Sequence, residues 1–277
     1  MLESLNRYFA AWLATLKTMF MPWVWGPFLV LAVIQGIVLW MLLIAPSPAF
    51  GGWPIALLRY WFGPMVGHYP AHLVATPYMF FRLSILVYGV FGVATYGVAT
   101  AAFAKKFTGR WDSPESFVHV TIRKYFPLFV IWLVSTAVVF FALARFPDIF
   151  ADWTFGSPRR GVLIDALSRV IVVAFMSLWA YTTVALVVEG AALLAAVKLS
   201  MRRFLRRPLA TFFLLGIPYA ITIPFSLIAA EAPDLVRQFR PETIIFALIL
   251  VIISQFVANI ITCGSVTHYY LSEPGRE

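Results

Sequence analysis

The sequence contains one cysteine, Cys263, in 277 residues. That excludes a disulfide framework and any metal site built from several thiolates. Charge is scarce too. Only 12% of the residues are Asp, Glu, Lys or Arg, against about 25% in a soluble domain, so the chain has too few ionic side chains to coat a water-borne globule. The familiar catalytic signatures are missing: there is no HExxH, no GxSxG, no Walker loop and no CxxC. With them go the usual sequence routes to zinc hydrolysis, serine acyl transfer, nucleotide binding and thiol redox chemistry. His68 and His72 are four apart, but Pro70 stands between them and breaks the helical geometry that would aim both at one metal. His119 and His268 have no visible partner. No catalytic, cofactor-binding or metal-binding residue is assigned, and no cofactor is expected.

What remains is apolar. Hydrophobic residues make up 62% of the chain and the mean hydropathy is +0.88. A bilayer crossing needs about 20 mostly apolar residues, because the hydrocarbon core is about 30 Å thick and a helix rises about 1.5 Å per residue. Six windows meet that requirement, at roughly 23–45, 77–104, 126–144, 163–188, 209–230 and 243–270. The first opens after Pro22 and closes at Pro46 and Pro48; the second is stopped by Lys105 and Lys106. All must be helices, since an unpaired strand would leave backbone groups without partners in lipid. The fold class is therefore all-α and polytopic. The first window is longer than a signal-peptide core, so it is expected to be retained as a span.

Lysine and arginine in short loops stay on the cytoplasmic side during insertion. With the amino terminus inside, the inner set is Arg7, Lys17, Lys105, Lys106, Arg110, Arg123, Lys124, Lys198, Arg202, Arg203, Arg206, Arg207 and Arg276. The outer set is Arg59, Arg82, Arg145, Arg159, Arg160, Arg169, Arg237 and Arg240. Thirteen against eight, together the 21 basic residues of the chain, places both termini in the cytoplasm.

The first, third and fifth windows are each entered through a proline (Pro22, Pro127 and Pro208) and preceded by a short basic amphipathic stretch. This predicts three repeats of an elbow helix plus a helical hairpin in one transmembrane domain, residues 1–277, with elbows at about 2–20, 113–124 and 190–206. In the first, Leu5, Tyr8, Phe9, Trp12, Leu13, Leu16 and Phe20 share a face. The second opens with Ser113 as the expected cap, then Pro114 and Glu115. In the third, Leu193, Leu194, Val197, Met201, Phe204 and Leu205 form the apolar stripe while Lys198, Arg202 and Arg206 share another face. The loop from Pro46 to Thr76 carries Trp53, Arg59, Tyr60, Trp61 and Phe62, the composition of a segment resting at the membrane interface.

Polar groups inside the spans carry a cost and need a reason. Arg82 can snorkel to the outer headgroups. Asp165 and Arg169 are four apart and form an ion pair on one helix, with a substrate role as the alternative. Glu189 ends the fourth span beside Gly190. Gln255, Asn259 and Thr262 line one stripe of the sixth span, with Gln35 in the first span as a natural partner; interhelical hydrogen bonding and a polar pathway both fit. Pro218 and Pro224 should kink the fifth span. Gly97 and Ala101 form a small-xxx-small pair for close helix packing. Five cations between Lys198 and Arg207 (Lys198, Arg202, Arg203, Arg206, Arg207) form an anionic lipid-headgroup site. The formal net charge of +9 is thus explained by lipid, and no nucleic-acid partner is expected.

The stretch from Tyr181 to Ile221, YTTVALVVEGAALLAAVKLSMRRFLRRPLATFFLLGIPYAI, resembles a segment found in a broad bacterial group. In that group a span ends in a hydrophobic run, then Glu-Gly, then an alanine-rich elbow leading to a serine and basic residues. The group comprises the membrane domain of glycerophosphoryl diester phosphodiesterase and related six-span families of unknown function. Val188, Glu189, Gly190, Ala195, Lys198 and Ser200 stand at the matching places. No phosphodiesterase domain accompanies them, so activity on glycerophosphodiesters is not expected. The resemblance implies a bacterial inner-membrane protein. Its expected role is that of a lipid-associated accessory or membrane-organising protein rather than an enzyme. Its partners would be anionic membrane lipids, together with a membrane-protein partner or a second copy of itself. A transporter or permease subunit for a small solute or lipid is the alternative, and an intramembrane lipid-active enzyme the third.

Overall fold

A computed structural model of the chain describes residues 2–47, 52–109 and 116–272, and every regular element among them is helical. Six helices are long and apolar enough to cross a bilayer: Pro22–Ile44, Ala71–Thr108, Tyr125–Ile149, Pro158–Val188, Pro208–Ala230 and Thr243–Leu271. The chain is a multi-pass helical membrane protein. These helices are called spans 1 to 6 below.

Several differences from the sequence reading come from proline. Span 2 begins at Ala71 rather than at Pro77, and it runs through Pro77 without stopping. Span 1 likewise contains Pro27, and span 5 continues past Pro218 and Pro224. Neighbouring helices and local adjustments can satisfy a backbone group freed by proline in a membrane helix, so proline is a weaker boundary here than in water. Span 4 starts five residues early, at Pro158 rather than 163, and is interrupted at Trp179–Tyr181 before resuming as Thr182–Val188. Residues Pro48, Arg110, Ser113, Pro114, Glu115 and Arg276, and the side chains of Leu5 and Trp53, lie outside the described residues.

Three helices precede the odd-numbered spans: Leu2–Thr18, Phe117–Arg123 and Leu193–Arg206. The second is capped by Ser116, whose hydroxyl accepts from the His119 N–H at 3.3 Å. Each elbow buries small residues together with some of its large ones (Tyr8 and Trp12, Phe117 and Val120, Leu193 and Leu199 pack against the core) and leaves other large apolar residues exposed. In the first, Ala11, Thr15 and Thr18 are buried while Phe9, Leu13, Leu16 and Phe20 are exposed. In the second, Thr121 is buried while Val118 and Ile122 are exposed. In the third, Ala196 and Ser200 are buried while Leu194, Met201 and Leu205 are exposed. A lipid-facing surface is satisfied by bulky apolar groups, so association inside a bilayer falls to small residues that permit close approach.

Each elbow packs on a span other than the one it leads into. Thr121 packs on Gly97 of span 2, and Thr15 packs on Gly264 of span 6 beside Phe103. Ser200 bridges the interruption of span 4: its hydroxyl donates to the Leu178 carbonyl at 2.9 Å and accepts the Tyr181 N–H at 3.1 Å. The first elbow therefore uses the last span as its support. A beta carbon at Gly97 would come within 3.0 Å of the Thr121 hydroxyl and closer still to its methyl, which is why this position has no side chain.

The chain divides into two compact units. One comprises Met1–Pro27, Val93–Tyr219 and Ile260–Glu277; it holds all three elbows, and its core gathers Tyr181, Tyr270, Leu186, Leu214 and Ala101. The other comprises Phe28–Gly92 and Ala220–Asn259, with a core around Leu39, Leu58, Phe80, Ile244 and Leu248. Its loop forms a helix, Trp53–Phe62, that buries Leu58 and exposes Tyr60 and Trp61. Tyr69 donates to the Glu242 carboxylate at 3.0 Å, which fastens the end of that loop to the start of span 6. The bond raises the Tyr69 phenol above its usual pKa. The Glu242 carboxyl is held below its own by a backbone hydrogen bond and by Tyr69.

Candidate functional site: the third elbow helix

Span 4 ends at Val188, and the chain turns out of it through Glu189 and Gly190. Gly190 has φ +67°, the left-handed conformation that glycine adopts without a side-chain penalty. The ammonium of Lys124 donates to the carbonyls of Gly190 at 2.7 Å and Ala191 at 3.1 Å. A cation on carbonyls that follow a helix C-terminus is favourable both as a hydrogen bond and through the helix dipole. Lys124 comes from just after the second elbow, so it also links that elbow to the third. Glu189 itself is exposed.

Fourteen residues, Leu193–Arg206, then form the elbow helix, which has no acidic residue. Its buried edge is the Ala196 and Ser200 pair described above. The opposite face is an open surface of this one helix whose apolar side is Leu194, Val197, Met201 and Leu205 and whose basic side is Lys198, Arg202 and Arg206. Leu194 is 82% exposed and Leu205 71%. Lys198, Arg202 and Arg206 are exposed and make no hydrogen bond or ion pair among the described residues.

The other two cations of the run have different work. Arg203 places its guanidinium 3.6 Å from the centre of the Tyr270 ring and donates to the Tyr270 carbonyl at 3.1 Å. Arg207 donates to the Tyr269 hydroxyl at 3.4 Å. The five-residue basic cluster thus separates into three cations facing outward and two holding the end of span 6. Tyr181, beside both tyrosines, shares a 2.8 Å hydrogen bond with Thr211 at the start of span 5. This knot fixes the angle at which the elbow turns into its span.

Two further groups of polar residues lie within the spans. Gln35 donates to the Gln255 side-chain oxygen at 3.0 Å, and Tyr88 donates to the same oxygen at 3.3 Å. Asn259 donates to the Tyr88 hydroxyl at 3.0 Å. Gln35, Gln255 and Asn259 therefore come together, whereas no bond from the Thr262 side chain joins them. Tyr88 opens a π-helical segment, Tyr88–Gly92, whose wider turn lets its ring lie over Gly92. Sequence reasoning missed Tyr88. The only available signal was its neighbourhood, two glycines within four residues, Gly89 and Gly92.

In the second group, Arg169 donates to Asp165 through Nε at 2.9 Å and through Nη2 at 3.3 Å. It also bonds Tyr219 of span 5. The arginine side chain is 17% exposed and the aspartate 50%. Arg82, expected at the headgroups, lies 4.3 Å from the centre of the Trp61 ring, a cation–π contact with the loop helix. Cys263 is buried, with its sulfur 3.4 Å from the Thr100 hydroxyl. Among the described residues, no three or more His, Cys, Asp or Glu side chains gather as a metal site.

Fold and site together define a class: a multi-pass membrane protein whose amphipathic elbow helices carry their spans, one elbow presenting an unpartnered row of cations. Comparison with protein-family models, with curated proteins and with solved structures finds no match.

Proposed function

We propose that the protein is a lipid-associated, membrane-organising component of a bacterial cytoplasmic membrane, without enzymatic activity, and that the outward face of the helix Leu193–Arg206 holds anionic lipid. One observation carries the reading: Lys198, Arg202 and Arg206 stand exposed beside Leu194, Met201 and Leu205 on a helix that lies next to a span. An interfacial helix of this kind buries its apolar side among acyl chains and offers its basic side to phosphates. The distribution of lysine and arginine supports a cytoplasmic location for this helix and for both termini. The resemblance of residues Tyr181 to Ile221 to the membrane domain of glycerophosphoryl diester phosphodiesterase supports the bacterial setting.

Each surface cation contributes about 1 kcal/mol of attraction to acidic headgroups. Neutralising Lys198, Arg202 and Arg206 together to glutamine is therefore expected to weaken binding of acidic lipid by about a hundredfold. Arg203 and Arg207 are left intact so that the tyrosine knot survives. The check is lipid retained by the purified protein in mixed micelles, alongside its thermal unfolding. Unchanged acidic lipid in a folded triple variant would refute the proposal.

A further inference from the structure

Lys198, Arg202 and Arg206 are spaced by four residues each, so they follow one another at about 6 Å along the same stripe of the helix. Three like charges in this arrangement repel, since i,i+4 pairs of one sign destabilise a helix. The helix contains no carboxylate to relieve them, and none of the three is bonded among the described residues. The exposed apolar stripe beside them runs the same length, from Leu194 to Leu205. A ligand that suits the whole face has two anionic groups held about one helical turn apart, together with acyl chains that leave them on the same side.

We infer that the third elbow is selective for a diphosphatidyl lipid, in which two phosphates are joined through one glycerol bridge. One phosphate sits between Lys198 and Arg202 and the other between Arg202 and Arg206, while the chains lie along the apolar stripe of Leu194, Met201 and Leu205. This rests on the lipid-binding reading above and adds the headgroup class. Bridging the phosphates makes the second contact intramolecular, so it gains effective concentration that two separate monophosphate lipids lack. Arg202 is the shared residue in this geometry, and the end cations each touch one phosphate.

The test uses the full-length protein in nanodiscs or mixed micelles, titrated with cardiolipin or with twice the molar amount of phosphatidylglycerol, so that total phosphate and charge are equal. Native mass spectrometry reports the bound lipid. The wild-type protein is expected to prefer cardiolipin by about tenfold. Arg202→Gln should reduce that preference to about twofold, while Arg206→Gln keeps most of it. Equal binding of the two lipids, with both lost in the triple glutamine variant, overturns the diphosphate inference and leaves the lipid-binding function intact. If the triple variant binds both lipids as the wild type does, the function itself fails. Thermal unfolding in detergent without added lipid shows that each variant is folded before its lipid binding is compared.

Discussion

Gly264→Ala is expected to cost about 2–3 kcal/mol of stability, the penalty of forcing extra volume into a close-packed site. A beta carbon there would come 2.7 Å from Phe103 Cε1 and 2.9 Å from its Cζ, and would run into the Thr15 methyl. Both neighbours are fully buried and neither can swing away. Gly97→Ala meets the same obstacle at Thr121. Thr121→Ser, which deletes the clashing methyl and keeps the hydroxyl bond to the Phe117 carbonyl, should return part of the loss. Gly36→Ala is the control, because nothing lies within 4 Å of the added carbon. It should be neutral or slightly stabilising, as glycine is a poor residue in a helix interior. Unfolding in detergent, followed by intrinsic fluorescence, separates these cases. Equal stability of the Gly264, Gly97 and Gly36 variants would mean that the elbows do not dock on the span ends as described.

The second large effect concerns Asp165 and Arg169. Asp165→Leu removes the anion from an arginine that is mostly covered and cannot lose its proton. The expected cost is about 3 kcal/mol, that of an uncompensated charge within a span. Arg169→Leu should cost distinctly less, because the carboxyl that remains is half-exposed whereas the arginine is mostly covered. The double variant Asp165→Leu with Arg169→Leu should unfold within about 1 kcal/mol of the parent, since two apolar side chains replace a pair whose desolvation roughly cancels its attraction. A double-mutant cycle measures the coupling directly. Additive losses in the two single variants would show that the pair does not act as a unit.

The positions of the spans are legible in sequence because the thickness of the hydrocarbon core sets a length that apolar runs either reach or miss. The elbows are legible as amphipathic stretches. Their docking side is not, because the large apolar stripe is divided: Tyr8, Trp12 and Leu193 pack against the core while Phe9, Leu13, Leu194 and Leu205 are exposed. Ala11, Thr15, Thr121, Ala196 and Ser200 are the most deeply buried elbow residues, and such small residues look unremarkable in a chain read for hydrophobicity. The stripe of Lys198, Arg202 and Arg206 follows from spacing alone, whereas the engagement of Arg203 and Arg207 with Tyr270 and Tyr269 depends on a helix end 62 to 67 residues away.

The intramembrane partners divide in the same way. Gln35, Gln255 and Asn259 announce themselves, because an amide in a span needs a partner. Tyr88 and Tyr219 do not, since a tyrosine satisfies an apolar setting with its ring and shows its hydroxyl only once the neighbouring helix is known. The break in span 4 was hidden for another reason. It depends on a single hydroxyl, that of Ser200, which replaces the missing backbone partners from a different helix.

The central claim is that a basic elbow lies flat at the membrane surface and turns at Arg207 and Pro208 into a helix that crosses it. Spin labels introduced one at a time at Leu194, Met201 and Leu205, and at Leu209, Phe213 and Ile217, in protein reconstituted into anionic vesicles would report depth through collisions with oxygen and a water-soluble relaxant. The elbow labels should share one shallow depth, whereas the span labels should deepen by about 1.5 Å per residue. A steady depth gradient through both sets, or full water exposure of the elbow labels, would contradict the account.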